Sequence, residues 1–281
     1  MKRYLSEFLK GLLATVLCAQ TLSCSGSTRA DPEDVECNGE TLSGSFTIQS
    51  QEDLIELDGY ARIDGTLTIS ASELTDIVGL ECLEEITGSL LFTNNPSLTS
   101  VDGLNTLSSI GYGLTFEESN ALTNIDGLSS LTSVKSLFLQ TNSSLSNIDG
   151  LSNISSLEEG LHIGGCPELT NIDGLSSLDS IGGPLSISYN RSLLNIDGLS
   201  QVTSIEGNID IEGNDSLTQV DALSQLSHVD GDLNIAHNPD LENLSGLSRI
   251  TGVSGDLITW LNDALANLYG LDTATAVGYS F

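Results

Sequence analysis

One phrase, L-T-x-I-D-G-L, recurs along this chain and restricts its possible folds more than any other feature. Copies begin at Leu74, Leu98, Leu122, Leu145, Leu169, Leu193, Leu217, Leu241 and Leu265; seven of the eight intervals are 24 residues and one is 23. A shorter copy precedes them at Leu54. Numbered from the first leucine of each copy, apolar residues fall at positions 1, 4, 7, 10, 13, 17 and 19, as in Leu169, Ile172, Leu175, Leu178, Ile181, Leu185 and Ile187. Steps of three do not fit a helix of 3.6-residue period. They describe a coil with short extended sides, and the 17-x-19 alternation predicts a strand with one face inward. A lone copy buries too few aliphatic side chains to offset the entropy of ordering it, so copies must stack on one another. The expected fold is all-β, a repeat solenoid of about ten 24-residue turns.

Three polar columns accompany the leucines. Position 22 is asparagine at Asn95, Asn142, Asn190, Asn214, Asn238 and Asn262, with Ser119 and Cys166 as substitutes. Buried at a bend, such side chains can satisfy backbone groups left unpaired and can bond one another. Position 6 is glycine in nine of ten copies, with Ala222 the exception, which predicts a tight bend. Position 5 is aspartate at Asp58, Asp102, Asp126, Asp149, Asp173, Asp197 and Asp221. There a carboxylate is expected to accept a backbone N–H two or three residues on.

The run Ile181-x3-Leu185-x-Ile187-x2-Asn190 resembles a leucine-rich repeat, except that leucine follows the asparagine after two residues instead of one. With its paired apolar strand positions and an early cysteine, the pattern is similar to the receptor L domain of the insulin and epidermal growth factor receptor family. The resemblance covers about residues 37–281. It implies a right-handed parallel β-helix used for protein or ligand recognition without catalysis. The chain is longer and more regular than one receptor module.

The first residues read as an export signal. Lys2, Arg3 and Lys10 precede the apolar stretch Gly11–Leu22, and Thr21-Leu22-Ser23-Cys24 resembles a bacterial lipoprotein cleavage box. The expected organisation is a signal peptide over 1–23, a flexible tether over 24–36 lipidated at Cys24, and one β-solenoid over 37–281. That address implies an exported protein of the bacterial cell envelope, on the outer membrane or cell surface, touching membrane only through its lipid. An oxidising compartment makes the other cysteines informative. Cys37 falls at position 8 and Cys82 at position 9 two turns later, while the turn between them, through Tyr60-Ala61-Arg62-Ile63, has lost about three corner residues. The shortened turn brings Cys37 within reach of Cys82, so a disulfide joins them, and Cys166 remains a buried thiol.

Thirty-nine acidic residues against eight basic ones give a formal charge of −31. Such a surface repels phosphate backbones and excludes nucleic acid as a partner. The columns also offer no convergent catalytic set. His162, His228 and His237 lie at positions 18, 12 and 21, on different sides of the coil, and no G-x-S-x-G, H-E-x-x-H or C-x-x-C motif occurs. Arg62, Lys135, Arg191 and Arg249 occupy different columns, unlike the basic strand face a polysaccharide lyase would need. Asp210 and Glu212 share the outward face of one strand and read as a solvated acidic surface. No catalytic residue, cofactor or metal is expected.

Function is therefore sought on the strand face. Inward columns are monotonous, whereas outward position 18 changes from turn to turn and places Leu91, Phe138 and His162 in an apolar-aromatic patch. The expected function is non-enzymatic recognition of a protein or glycan partner through that candidate binding face. Alternatives are a structural or adhesive envelope spacer, a calcium-binding solenoid using the position-5 aspartates, and a polysaccharide-active β-helix enzyme. At the C-terminal end, Trp260, Tyr269 and Tyr279 either close the coil or the open end docks on something.

Overall fold

The computed structural model describes residues 37–274 and the strand Ala276–Val277; the predicted signal segment, the whole tether with Cys24, and Tyr279 lie outside the described residues. Alternation at positions 17 to 20 produces a ten-stranded parallel sheet. It runs from Phe46–Ile48 and Leu67–Ile69 at one edge to Leu233–Ala236 and Leu257–Trp260 at the other, in sequence order throughout. Leu137, Leu161, Leu185, Ile209 and Leu233 lie directly in register, and all are buried. Leu139, Ile163, Ile187, Ile211 and Ile235 form the second inward row, into which Phe92 and Phe116 bring stacked rings 4.3 Å apart. Successive equivalent residues thus sit one strand apart, and the apolar interior is continuous along the stack.

Each coil has two further sides. Two-residue strands at positions 12 and 13, such as Ser156–Leu157, Ser180–Ile181 and Ser204–Ile205, pair in parallel across from the large sheet. The third side corrects the expectation of extended segments throughout. Asp-Gly-Leu forms a 3₁₀ turn at Asp102–Leu104, Asp126–Leu128, Asp149–Leu151, Asp173–Leu175 and Asp197–Leu199. A 3₁₀ helix repeats every three residues, so it satisfies the same apolar spacing. The shortened first copy departs further. It begins as an α-helix, Gln51–Glu56, whose entry is fixed by the Asp53 carboxylate accepting the N–H groups of Gln49 and Ser50 at 2.8 and 2.9 Å. Those bonds hold Asp53 below the usual carboxylate range.

Two polar columns behave differently from their sequence reading. The position-5 aspartate side chains are exposed, and none caps its own 3₁₀ turn. The capping is done two residues earlier, where Asn124, Asn171 and Asn195 accept the N–H of Asp126, Asp173 and Asp197 at 3.0 to 3.2 Å. Glycine at position 6 answers to close approach, not to a left-handed bend, at Gly174 and Gly198: a Cβ there would collide with the carbonyl oxygens of Ile148 and Ile172 in the preceding coil. At Ala222 the 3₁₀ segment is longer, Asp221–Gln225.

The asparagine column is a buried ladder. Asn190, Asn214 and Asn238 each give their N–H to the Oδ1 of the next asparagine at 3.0 to 3.1 Å, and each Nδ2 donates to the carbonyl of an isoleucine 27 residues earlier. Cys166 joins the ladder by donating its N–H to Asn190 Oδ1 at 3.0 Å; burial raises its thiol above the ordinary value. Ser119 is the weak rung, since its hydroxyl is buried without a hydrogen-bond partner.

Immediately before the ladder, position 21 is left-handed in every coil from Asn94 onward. Asn94, Glu118, Thr141, Tyr189, His237 and Leu261 have φ between 53° and 58°, and Gly165 and Gly213 have 63° and 68°. Such a conformation costs a non-glycine residue about 1–2 kcal/mol. It persists because the N–H of the left-handed residue donates to the strand end of the next coil, as Glu118 does to Gln140, Thr141 to Gly164 and Tyr189 to Glu212, which over-determines the corner.

Cys37 and Cys82 form a disulfide, with 5.4 Å between their Cα atoms and 45 residues between them in sequence. It ties the first strand region to the third coil, across the turn where Phe46 pairs with Leu67 only 21 residues later.

Candidate recognition face

The ten-stranded sheet presents its outward residues as parallel rows. Along position 18 the order is Thr68, Leu91, Thr115, Phe138, His162, Ser186, Asp210 and Asn234, each paired with the next. Phe138 and His162 are therefore neighbours, and their rings stack at 4.5 Å with 19° between planes. Leu91 does not join them. Thr115 stands between it and Phe138, and Leu91 is half-buried.

The stacked pair borders a hollow of about 290 Å³. Phe138, which keeps 38% of its surface exposed, and His162 form one wall, while Leu161, Pro184 and Ser186 complete it. Gly160 lines it too, packed so closely on Pro184 that a Cβ would lie 3.0 Å from the Pro184 carbonyl oxygen. His162 Nε2 is bonded to Gln140 Oε1, which fixes the imidazole plane against the phenyl ring. Burial lowers the His162 pKa from its usual value, an effect the Asp210 carboxylate two strands on partly opposes. Asp210 itself is pushed above the ordinary carboxylate range, first by burial and then by Glu212, while a 2.8 Å bond from Asn234 Nδ2 works in the opposite direction. The face thus grades from an aromatic hollow to an acidic strip within two strands.

A second concavity lies at the corner beside the sheet, where sequence reading placed nothing. About 490 Å³ in volume, it is walled by the left-handed residues Tyr189, His237 and Leu261 and floored at Gly213. Glu212, Asp215, Asp263 and Arg191 supply its polar groups. The sequence signal available was the residue preceding each column asparagine, where large side chains appear at 189, 237 and 261.

The remaining candidates are dispersed. His228 lies on the short-strand side, 3.5 Å from Asp230, and His237 lies at the corner. Arg62, Lys135 and Arg191 pair with Glu85, Glu158 and Asp215, each one coil further on, so these cations link coils along the axis. Among the described residues, no group of three or more His, Cys, Asp or Glu side chains is placed to hold a metal ion, and no helix is long and apolar enough to cross a membrane.

In-register leucines, 3₁₀ turns and an asparagine ladder together define a repeat solenoid of parallel strands. Residues 85–218 match the BspA-type leucine-rich repeat region, in six copies. Among solved structures, an internalin from Listeria monocytogenes matches at 16% identity over 84% of this chain and 72% of that one, with a TM-score of 0.39. No curated protein matches the chain.

Proposed function

We propose that this leucine-rich-repeat protein is a non-enzymatic recognition module in the manner of a receptor L domain, binding a protein through the outward face of its ten-stranded sheet. The observation that carries this reading is the Phe138–His162 stack beside an open apolar hollow, on a face whose other side is the buried core. Inward residues are dictated by packing, so variation confined to the outward row is free to serve a partner. The hollow suits one apolar side chain of the partner. Asp210 and Glu212 on the same face, together with a net charge of −31, favour basic residues flanking that side chain.

The finer architecture belongs to the same proposal: about ten turns wound right-handed, the hand that parallel crossover connections adopt almost without exception. Export and lipidation at Cys24 would hold the module at the bacterial cell surface by residues 24–36, leaving the sheet face free of the membrane. Palmitate labelling of wild type but not of Cys24→Ser tests the anchor. Binding is tested by capture with the triple variant Leu91→Ala/Phe138→Ala/His162→Ala. A partner retained at full strength by that variant sinks the proposal and favours a passive spacer.

A further inference from the structure

The corner concavity differs from the sheet hollow in every respect that governs ligand choice. Its walls come from position 21, where glycine would carry no conformational cost, yet the chain places Tyr189, His237 and Leu261 there and keeps glycine at 213 between the first two. Gly213 has a specific role: a Cβ on it would meet the Tyr189 ring at 2.7 Å, so the ring lies flat over this bare coil. Two coils along, His237 meets Trp260 edge-on, with ring centroids 4.8 Å apart. Tyr189 keeps 57% of its surface exposed and Trp260 56%. These aromatics therefore serve no core.

Around the rings, carboxylates outnumber the cations. Tyr189 Oη donates to Glu212 Oε1 at 3.3 Å, and Arg191 Nε stands 3.8 Å from Asp215 Oδ2, too far for a direct hydrogen bond and well placed for a bridging hydroxyl. Asp263 adds a third carboxylate on the last coil. From Tyr189 to Leu261 the groove crosses three coil spacings, about 14 Å at ~4.8 Å each. Its backbone is clamped by Asn190, Asn214 and Asn238, so little ordering remains to be done on binding.

We infer that this groove binds a short neutral oligosaccharide lying along the coil axis, with the apolar face of a sugar ring on Tyr189 and hydroxyls bonded to Arg191, Asp215 and Asp263. Neutrality follows from the three carboxylates against one cation, which disfavour phosphorylated, sulfated or uronic sugars. The length of the groove, with carboxylates spaced along it, matches a chain of hydroxyls better than a compact ligand. A cationic peptide would meet the carboxylates but leave Arg191 opposed to it.

Trp260 is the single tryptophan of the chain, so its emission reports on this corner alone. The full chain is titrated with tetrasaccharides of β-1,4-glucose, β-1,4-N-acetylglucosamine, α-1,4-glucose and mannose, followed by fluorescence and calorimetry. A lysine-rich peptide and a galacturonate oligomer serve as comparisons. At least one neutral tetrasaccharide should give saturable binding that weakens about tenfold or more in Tyr189→Ala and in Asp263→Asn, ~1.4 kcal/mol per decade. Phe138→Ala/His162→Ala should leave it unchanged, which separates this groove from the sheet face. No saturable binding by either method, equal binding by Tyr189→Ala, or binding of the peptide alone overturns the inference.

Discussion

Asn214 serves two neighbours at once: its Oδ1 accepts the N–H of Asn190 at 3.1 Å while its Nδ2 donates to the carbonyl of Ile187 at 2.9 Å. Both partners are buried, so neither can turn to water. Asn214→Ala should cost about 2–4 kcal/mol, because two buried polar groups lose their partners. Asn214→Asp should also destabilise, since a carboxylate can accept from Asn190 but cannot donate to Ile187. Urea denaturation reads both, and a midpoint unchanged from wild type in Asn214→Ala would contradict the ladder's role.

The left-handed corner makes the opposite kind of prediction. Thr141 is β-branched and held at φ 55°. Thr141→Gly should raise stability by roughly 0.5–1 kcal/mol, the relief of backbone strain less the extra freedom glycine gives the unfolded chain. Thermal melting compared with Thr123→Gly, where no positive φ is involved, isolates the effect.

At the amino-terminal end, the Cys37–Cys82 bridge closes a loop of 45 residues. Loop-closure entropy assigns it about 4 kcal/mol. Reduction should lower the resistance of the first coils to hydrogen exchange while leaving coils beyond Leu114 largely protected, as expected of a stack with nearest-neighbour coupling. Peptide mapping without reductant should recover residues 37 and 82 linked.

His162 supplies a pH dependence with a definite sign. Its folded-state pKa lies below the ordinary value of 6.5, so the unfolded chain binds the proton more tightly. Its contribution to stability is full above that value and is lost as pH falls from about 6.5 through the lower folded pKa. Wild type should lose melting temperature between pH 7 and pH 5 by more than His162→Gln does. Equal losses would place the acid sensitivity elsewhere.

The sheet was readable from sequence because one residue class, the aliphatics, recurs with a period that only stacked coils satisfy. Leu161, Leu185 and Ile209 are in register for the reason their spacing suggests. The side built on Asp-Gly-Leu was less readable, since extended and 3₁₀ backbones both tolerate apolar residues three apart. Aspartate recurs more regularly there than asparagine, although Asn171 and Asn195 do the capping. Position 21 was invisible for a different reason. Its φ is imposed by the stacking of one coil's corner on the next, so Thr141, Tyr189 and Leu261 share a conformation without sharing any chemistry. The corner groove follows from that column and from which coils happen to carry large side chains. Leu91 shows the reverse error: outward direction was inferred correctly, but adjacency to Phe138 failed because Thr115 intervenes.

Each asparagine of the ladder joins its coil to the one before by the same two bonds, and nothing in it counts how many coils there are. Excising residues 186–209 would carry Leu185 directly into Asp210 and restore each contact type at the seam, one storey shorter. Length is therefore an adjustable quantity here, open to duplication or loss of whole storeys, and the distance from the amino-terminal coil to the sheet hollow or the corner concavity can change without redesign of the interior.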